Sequence, residues 1–338
     1  MRRIACRSAE DRRALFRNAA ARLGMSAAIT EKDFWVCWLL DHLFHRSPWK
    51  DAFIFKGGTS LSKGFDLIKR FSEDIDLVLD WRILGYGTNE PWLQRSNTKQ
   101  DLFNAEANAR AAAFLSESFL PRLCADLSAE LGEPAVLRID PDDPQTVKFS
   151  YPRTSADPSI LQEIRMEIGP LAAWTPFESR AVRPYAATVY ERLFETVQTV
   201  VPTVLPERSF WEKATILHRE AMRAESGTVP VRYSRHYYDL WCMAKAGVDT
   251  RALECPGLLA RVVRFKEKFY RCSWARYDLA KQPAGIHLVP KPVHAAVLAA
   301  DYAHMRNMIF GSAPDFSAIL ESLRRLQTTW SKASLDEY

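Results

Sequence analysis

The sequence has no cysteine pattern that would indicate a disulfide framework or a zinc site. Its six cysteines are scattered along the chain, and no Cys-x-x-Cys occurs. Zinc sites and redox motifs place cysteines a few residues apart, and small secreted proteins carry closely spaced pairs. We therefore expect reduced thiols in a cytoplasmic protein.

Long apolar runs are missing as well. Residues 34–44 are mostly apolar, but Asp41 and His42 interrupt them. The stretch is also shorter than the about 20 residues that a bilayer-spanning helix needs. The first residues include two arginines but no apolar segment of the signal-peptide kind. These features predict no membrane contact. Internal repeats and low-complexity segments do not stand out either.

The composition that remains is that of an ordinary globular protein. The chain has 338 residues, of which 47% are hydrophobic and 26% charged. A chain of this length can bury a large core and has room for two domains. The formal charge of +5 is compatible with nucleotide or RNA binding, although it requires neither.

A strand followed by two glycines and a helix start stands out early in the chain. Residues 53–55 are expected to form the strand, and the helix is expected to run from Thr59 to about Arg70. Glycines let the backbone approach a ligand closely, and the first N–H groups of a helix attract phosphate. The stretch therefore predicts a nucleotide-binding turn made of Lys56, Gly57, Gly58, Thr59, Ser60 and Lys63.

An alternating acidic strand is predicted at residues 75–79. Asp74 and Asp76 lie two positions apart, so their carboxylates point to the same face. Two carboxylates on one face repel each other unless a cation joins them. A divalent metal that also binds substrate phosphates is the natural occupant. The alternative is a glycine turn and a solvated acidic strand without a shared function.

The rest of the pattern predicts an α+β chain with a helical second half. Helices are expected at residues 8–24, 30–46, 99–131, 207–224, 234–246, 252–270, 292–309 and 315–328, and further strands at 135–139, 146–151, 161–168 and 194–201. Residues 30–46 carry an aromatic stripe that fits core packing, with a lid over a nucleotide base as the alternative. The proline-punctuated residues 169–205 predict a boundary between a domain of residues 1–205 and a domain of residues 206–338.

The two early motifs resemble a known group of enzymes. A glycine turn followed closely by Asp-x-Asp is similar to the DNA-polymerase-β-like nucleotidyltransferase superfamily. Lys-Gly-Gly-Thr-Ser-Leu-Ser-Lys and Phe-Ser-Glu-Asp-Ile-Asp-Leu resemble its AbiEii/AbiGii-type toxins of type IV toxin–antitoxin systems. A P-loop is not indicated, because Gly-Lys-Ser/Thr is absent. The resemblance spans residues 30–245 and implies a small mixed sheet flanked by helices, with a mostly helical C-terminal domain that closes the active-site cleft.

The resemblance also implies a third metal ligand on a neighbouring strand. In residues 161–168, alternation places Glu163 and Glu167 on one face and the apolar side chains on the other. The family pattern Ile-Lys-Ile-Glu/Asp-Ile points to Glu167, with Glu163 as the fallback. Together with Asp74 and Asp76, Glu167 would hold two Mg²⁺ ions. Two surface glutamates on a solvated strand face are the alternative.

Two elements of the second half match the family in part. Glu-Lys-Ala-Thr-Ile-Leu-His-Arg resembles its Glu-Lys-x-x-Ala-Leu-x-x-Arg element, which implies that Lys213 reaches the nucleotide phosphates and that Arg219 contributes to nucleotide binding. Arg-His-Tyr-Tyr-Asp-Leu resembles its Arg-Asp-x-x-Asp-Leu element, with His236 where an Asp is usual. Asp239 is implied as a catalytic residue that orients Lys213 or Arg235 by a charge-assisted bond.

A run of basic and aromatic residues at 261–277 predicts an RNA-binding face. Basic side chains would contact phosphates and aromatic rings would stack on bases. We expect Arg264, Lys268 and Arg271 to bind RNA. A solvated helix face is the alternative.

The implied activity is the transfer of a nucleoside monophosphate from an NTP to an acceptor hydroxyl. In characterised relatives the acceptor is the 3′ end of tRNA, so that aminoacylation and growth stop, and a separately encoded antitoxin neutralises the toxin. Phage defence is the implied biological role. A nucleotidyltransferase that modifies a protein or an antibiotic is one alternative, and a non-catalytic NTP-binding interaction module is another.

Overall fold

The chain folds into two compact units. The computed structural model describes residues 1–157, 160–172 and 175–333. The first unit comprises Met1–Phe65 and Ser72–Val204, and the second comprises Asp66–Phe71 and the chain from Leu205 onward. A six-residue segment that precedes the acidic strand therefore belongs to the second unit.

The first unit combines helices with a mixed sheet, which has seven strands among the described residues. The strands are β1 (Phe53–Lys56), β2 (Ile75–Leu79), β3 (Val136–Asp140), β4 (Asp143–Ser150), β5 (Ile164–Gly169), β6 (Phe177–Val182) and β7 (Thr199–Val204). Their order across the sheet is β3-β4-β5-β2-β1-β7-β6. The acidic strand β2 is antiparallel to β1 and parallel to β5. It thus lies in the interior of the sheet, where hydrogen bonds to β1 and β5 fix its position.

The helices of the first unit are α1 (Arg2–Ala5), α2 (Ala9–Leu23), α3 (Ala27–His45), α4 (Gly57–Lys63), α5 (Asn97–Phe114), α6 (Leu120–Leu131) and α7 (Tyr185–Val189). A π-helical stretch, Leu115–Phe119, joins α5 to α6, so the helix predicted at residues 99–131 is interrupted. Helix α3 begins three residues before the predicted start at Thr30. The side chain of Ser26 accepts a hydrogen bond from the Ala28 N–H and caps the helix there.

The aromatic stripe of α3 forms core. The rings of Trp35 and Trp38 lie 6.4 and 6.1 Å from that of Phe149 on β4. Trp35 and Trp38 are fully buried. The predicted core packing is confirmed, and the alternative of a lid over a nucleotide base is wrong.

Helix α4 is shorter than predicted. It begins at Gly57 and ends at Lys63, so the expected continuation to Arg70 is wrong. The backbone near Arg70 pairs with another segment instead: the Phe71 N–H donates to the Met308 carbonyl at 2.7 Å. The Phe310 N–H likewise donates to the Lys69 carbonyl at 2.7 Å. These extended pairings within the second unit replace the helical ones.

The predicted strands are present with shifted ends, and β3 and β4 form the predicted hairpin. In β5 the apolar side chains Ile164, Met166 and Ile168 are buried, as the alternation predicts. The strand predicted at 194–201 is found as β7. Strand β6 was missed, because Phe-Glu-Ser-Arg-Ala-Val is polar and has little of the β-branched content that marks a strand. It lies at the sheet edge, where polar residues are tolerated.

The second unit is helical, apart from the short pairing of residues near Arg70 and Ile309. Its described helices are α8 (Pro206–Met222), α9 (Ser234–Lys245), α10 (Val248–Leu253), α11 (Leu258–Phe269), α12 (Pro292–Met305) and α13 (Phe316–Ala333). The helix predicted at residues 252–270 is split, since Pro256 and Gly257 interrupt it. Among all helices of the described residues, none is long and apolar enough to cross a membrane.

Candidate active site

One face of the sheet carries predicted site residues side by side. Asp76 on β2 is the register partner of Glu167 on β5 and of Lys56 on β1. Neighbouring strands lie about 4.8 Å apart, and register partners project to the same face. Asp74 comes two positions before Asp76, at the entrance to β2. The sheet thus brings Glu167 next to Asp76.

The fallback residue Glu163 is differently placed. Its carboxylate forms ion pairs with Arg138 at 2.6 Å and with Lys148 at 3.6 Å. Both partners lie on the hairpin strands β3 and β4. Glu163 is therefore engaged on the far side of β5 from the acidic strand.

The glycine turn and the acidic strand meet at Gly57. This residue has φ +81°, and a Cβ added to it would lie 1.8 Å from Asp76 Oδ2. Both the positive φ and the contact exclude any side chain. The Asp76 carboxylate therefore lies directly against the backbone from which α4 starts.

Two hydroxyl groups of α4 are used inside the protein. Thr59 Oγ1 donates to the Asp74 carbonyl at 2.5 Å and contacts Ser72 Oγ at 3.0 Å. Ser60 Oγ donates to the Gly57 carbonyl at 2.9 Å. Both side chains are buried. The Ser60 hydroxyl is thus engaged within the turn, and the predicted contact of Ser60 with the nucleotide stays a prediction. The Thr59 hydroxyl instead ties α4 to the entrance of β2, so that a phosphate could reach this residue only through its backbone.

Three consecutive charged residues of α3, to which the sequence patterns assign no role, are buried. Glu31 accepts hydrogen bonds from the backbone N–H groups of Thr154 and Ser155 at 2.7 and 2.8 Å. Successive helix residues point in different directions, about 100° apart. Each member of the triplet therefore reaches a different segment of the first unit. The signal was a Glu-Lys-Asp triplet inside an otherwise apolar helix.

The middle residue of this triplet supports the acidic strand. Lys32 Nζ donates to Glu73 Oε2 at 2.7 Å and to the Leu161 carbonyl at 2.6 Å. Lys32 is 1% exposed. Glu73 directly precedes Asp74, so the ion pair fixes the chain where it enters β2.

The third residue of the triplet, Asp33, pairs with Lys63 of α4. Lys63 Nζ lies 2.6 Å from Asp33 Oδ1 and 3.6 Å from the ring centre of Tyr185. Burial alone would lower the pKa of Lys63, but the charge of Asp33 outweighs it and the pKa is raised. The ammonium is thus buried and already neutralised. The predicted contact of Lys63 with a nucleotide phosphate would require the ammonium to leave this pair, and it stays a prediction.

In the second unit, one carboxylate holds two cations. Asp239 accepts hydrogen bonds from Lys213 Nζ at 2.8 Å and from Arg70 Nε and Nη2 at 2.8 and 2.9 Å. Asp239 is fully buried. Burial would raise its pKa, but Arg70 and Lys213 outweigh burial and lower the pKa well below its ordinary value. The expected pairing with Lys213 is present. The second cation is Arg70, which belongs to no motif of the sequence.

Two further residues of the second unit, Arg219 and His236, are strongly affected by their surroundings. Arg219 donates to the Tyr233 hydroxyl at 2.8 Å and to Glu220 at 3.1 Å, so its guanidinium is engaged within the protein. Burial, followed by the charges of Lys213 and Arg235, lowers the pKa of His236 well below its ordinary value. His236 is therefore neutral and too weakly basic to serve as a general base near pH 7.

The basic and aromatic run at residues 261–277 contains both buried and exposed aromatic rings. Phe265, Phe269 and Tyr277 lie in the core, so the prediction that these rings stack on bases is wrong. Tyr270 and Trp274 are 51% and 41% exposed. Arg264 and Lys268 lie four residues apart, on one face of α11.

The carboxylates of the sheet fit a magnesium ion that arrives with phosphates. Within the parts of the chain that the structure describes, no three His, Cys, Asp or Glu side chains form a ready metal cage. Mg²⁺ at phosphate-transfer sites is bound by one or two carboxylates and completes its shell with phosphate oxygens and water. Asp76 and Glu167 supply such oxygen ligands beside a glycine turn, with Asp74 two positions away.

The fold defines the class of the protein. A mixed sheet flanked by helices, followed by a helical second unit, is the predicted α+β nucleotidyltransferase fold, so the predicted fold class is confirmed. The family model for the nucleotidyl transferase AbiEii toxin of type IV toxin–antitoxin systems matches residues 38–322. The chain belongs to this family, which confirms the resemblance recognised in its motifs.

No curated protein sequence matches the chain. Among solved structures, the chain is similar to MenT4, a nucleotidyltransferase toxin from Mycobacterium tuberculosis H37Rv. The identity is 17%, the TM-score is 0.48, and the match covers 95% of this chain and 97% of that one.

Proposed function

We propose that the protein transfers a nucleoside monophosphate from an NTP to the 3′ end of tRNA and thereby inhibits translation. Family membership establishes a nucleotidyltransferase toxin. The close packing of the Asp76 carboxylate against Gly57 supports the proposal, because it places a proposed metal ligand beside a proposed phosphate-binding turn.

In this proposal the backbone at Gly57 and Gly58 and the first N–H groups of α4 bind the NTP phosphates. Lys56 adds a positive charge from the register position beside Asp76. Glycine is needed at position 57, since any side chain would displace the carboxylate.

The proposed metal ligands are Asp74, Asp76 and Glu167, and two Mg²⁺ ions are the proposed cofactors. When bound, Mg²⁺ neutralises phosphate charge and favours attack by the acceptor oxygen. That oxygen forms a bond to the α-phosphorus while the bond to the β-phosphate oxygen breaks, and pyrophosphate leaves. The link from Thr59 to the Asp74 carbonyl and the Lys32–Glu73 pair keep the carboxylates oriented.

For Lys213 and Asp239 we propose a part in the same reaction. This rests on the likeness of their sequence elements to those of the family. The buried pair gives Lys213 a fixed, charged head group, which suits an interaction with phosphate. Arg219 is the proposed further contact to the nucleotide, and it would have to exchange Tyr233 and Glu220 for the phosphates.

The proposed partners are NTP, tRNA and a separately encoded antitoxin, and the proposed setting is phage defence in the cytoplasm. Arg264, Lys268 and Arg271 are the proposed contacts to the tRNA backbone. The basic charge of the chain favours an anionic acceptor.

The test is to incubate the purified protein with Mg²⁺, total tRNA and each α-labelled NTP in turn. We expect label in the tRNA band with at least one NTP, and none with Asp76→Asn. Periodate oxidation of the tRNA 3′ end should block labelling. Label on a protein, or labelling of periodate-treated tRNA, would contradict the proposed acceptor.

A further inference from the structure

The second unit contains a cavity of about 660 Å³ beside helix α8. The remaining walls come from the end of α10, the start of α11, residues 281–284 and the end of α13. Cavities of this size are typical of small-molecule sites. Trp211 of α8 lines the cavity, whereas Lys213 lies two positions further on and about 200° around the helix. The cavity is therefore on the side of α8 that faces away from the Lys213–Asp239 pair.

Two indole rings form the apolar part of the lining. Trp211 and Trp330 are 1% and 3% exposed, and their ring centres lie 5.4 Å apart with an angle of 50° between the planes. Aromatic rings attract one another in tilted and edge-on arrangements. This part of the cavity therefore favours a ligand that has an aromatic ring of its own.

The N–H groups of the two indoles differ in their partners. Trp211 Nε1 donates to the Ala252 carbonyl at 3.2 Å. Trp330 Nε1 donates to no residue that the structure describes, although the side chain is almost completely buried. A buried donor without an acceptor costs free energy. An acceptor oxygen that enters the cavity would remove this cost.

The start of α11 supplies further donors. Its N-cap is Gly257, so no side chain caps the helix there. The backbone N–H groups of Leu259 and Ala260, the second and third residues of α11, have no acceptor among the described residues. Both residues line the cavity. Uncapped N–H groups at the start of a helix attract an anion.

The charge of the lining indicates a ligand with a single negative charge. Lys281 is the one charged side chain in the described lining. Its Nζ lies 3.1 Å from Glu267 Oε1 in a pair that is partly exposed, so Lys281 shares its charge with a carboxylate. A phosphate group would bring more negative charge than one shared cation balances. The donors of the cavity thus match a carboxylate.

We propose that this cavity binds a small aromatic carboxylic acid. The carboxylate accepts hydrogen bonds from the N–H groups of Leu259, Ala260 and Trp330, and the ring packs against the two indoles. Lys281 adds a positive charge at the edge of the site. The proposal is independent of the transfer reaction proposed above, which uses other residues.

Calorimetric titration of the full chain with phenylacetate tests the site, in EDTA and without NTP. Phenylacetamide lacks the charge and should bind about tenfold more weakly or worse, the effect of losing hydrogen bonds to a charged group. Cyclohexylacetate keeps the charge and the size but lacks the aromatic ring, and it should bind about threefold more weakly or worse. Phenyl phosphate keeps the ring and has more negative charge, and it should also bind more weakly than phenylacetate.

Two variants test the proposed contacts. Trp330→Phe keeps a ring but removes the N–H, and it should weaken phenylacetate binding by about tenfold. Trp49→Phe, in the first unit, is its matched control. Ala260→Trp fills the cavity from an exposed position of α11 and should abolish binding at an unchanged melting temperature. Ala296→Trp, at an exposed alanine of α12, is the control for it. The Ala260 variant tests the site even if Trp330→Phe destabilises the second unit.

Alkylation of cysteines shows where the ligand binds. Cys255 lines the cavity and is half-buried, whereas Cys6 of the first unit is exposed. Mass spectrometry after treatment with iodoacetamide should show that phenylacetate slows alkylation of Cys255 but not of Cys6. Asp76→Asn, which removes the proposed transfer activity, should show the same protection of Cys255. Failure of this site is therefore distinguishable from failure of the proposed function.

Three results would overturn the proposal. The first is no binding of phenylacetate by the wild type. The second is equal binding by Ala260→Trp and Ala296→Trp, because the ligand would then lie outside the cavity. The third is binding of any of the three matched compounds as tightly as phenylacetate, because the site would then not select an aromatic carboxylate.

Discussion

The Asp76 carboxylate occupies the space that a side chain at Gly57 would need. A Cβ at position 57 would come within 1.8 Å of Asp76 Oδ2 and 2.8 Å of Asp76 Cβ. An aspartate side chain is too short to swing away while its own Cβ is in contact. The backbone at Gly57 and the side chain of Asp76 therefore pack directly against each other, so a substitution at Gly57 should also displace the Asp76 carboxylate.

Replacing Gly57 by Ala should remove transfer activity. Alanine at a positive φ costs about 1–2 kcal/mol of stability, and the added Cβ also displaces Asp76. Gly24→Ala is the matched control, because Gly24 has φ +65° with nothing within 4 Å of its added Cβ. Urea unfolding and label transfer to tRNA measure the two effects. Equal activity in both variants would show that the contact with Asp76 does not matter.

Asp74→Asn and Asp76→Asn should each reduce transfer by a factor on the order of 10³ or more, since metal and electrostatic stabilisation would be lost. Glu167→Gln should also reduce it strongly. Glu163→Gln, directly before the same strand, should retain most of the activity. Melting temperatures establish that the near-isosteric variants fold. Wild-type rates for Asp76→Asn would remove the proposed metal site, and a larger loss for Glu163→Gln than for Glu167→Gln would reverse the assignment on β5.

Lys32→Met should destabilise the first unit by about 3–5 kcal/mol, because it leaves Glu73 buried without its cation. The double variant Lys32→Met/Glu73→Gln should lose less than the sum of the single losses. Lys69→Met is the control: its pair with Asp66 is exposed, so it should cost less than about 1 kcal/mol. Urea unfolding of the wild type, Lys32→Met, Glu73→Gln and the double variant gives the coupling energy between Lys32 and Glu73. Strictly additive losses of unfolding free energy would contradict a stabilising ion pair.

The Asp239 carboxylate should make stability depend on acid pH. Its folded-state pKa is lowered, so the unfolded chain takes up a proton first as the pH falls. The stabilisation is complete above the unfolded pKa of about 4 and is lost as the pH falls towards the lower folded-state value. The difference in unfolding free energy between wild type and Asp239→Asn should therefore be constant from about pH 5 to pH 8 and shrink below about pH 4. Asp66→Asn, at an exposed carboxylate, should show no comparable change. A difference that stays constant down to about pH 3 would contradict the lowered pKa.

Replacing Arg264, Lys268 and Arg271 together by Ala should weaken tRNA binding. Each lost phosphate contact should also reduce the slope of log K against log salt by up to about 0.9. Replacing Arg324, Arg325 and Lys332 of α13 removes the same charge from another helix and is the matched control. Binding is measured across a salt series, together with NTP affinity, which should be unchanged in both variants. If both triple variants show the same slope, the acceptor contacts lie elsewhere.

The sequence by itself determined those parts of the site whose conformation depends on residues close together in the chain. Alternation of polar and apolar residues predicts the position of β2 and the inward face of β5. The glycine turn is predicted because glycine adopts backbone angles that other residues avoid. The family resemblance could be recognised for the same reason, since its motifs are short and contiguous. Alternation alone could not choose between Glu163 and Glu167, because both lie on the same face. The choice depends on which residue of β5 pairs with Asp76, and strand register is a property of the folded sheet.

Only the tertiary structure decided the buried charge partners. Lys63 was expected at phosphate but pairs with Asp33, thirty positions earlier in the chain. Lys32 reaches Glu73, and Arg70 reaches Asp239 across a separation of 169 positions. A buried charge is stable only beside an opposite charge, so such partners are fixed by the fold. Periodicity in a sequence shows which face a side chain takes, and it contains no information about the distant residue that it meets there.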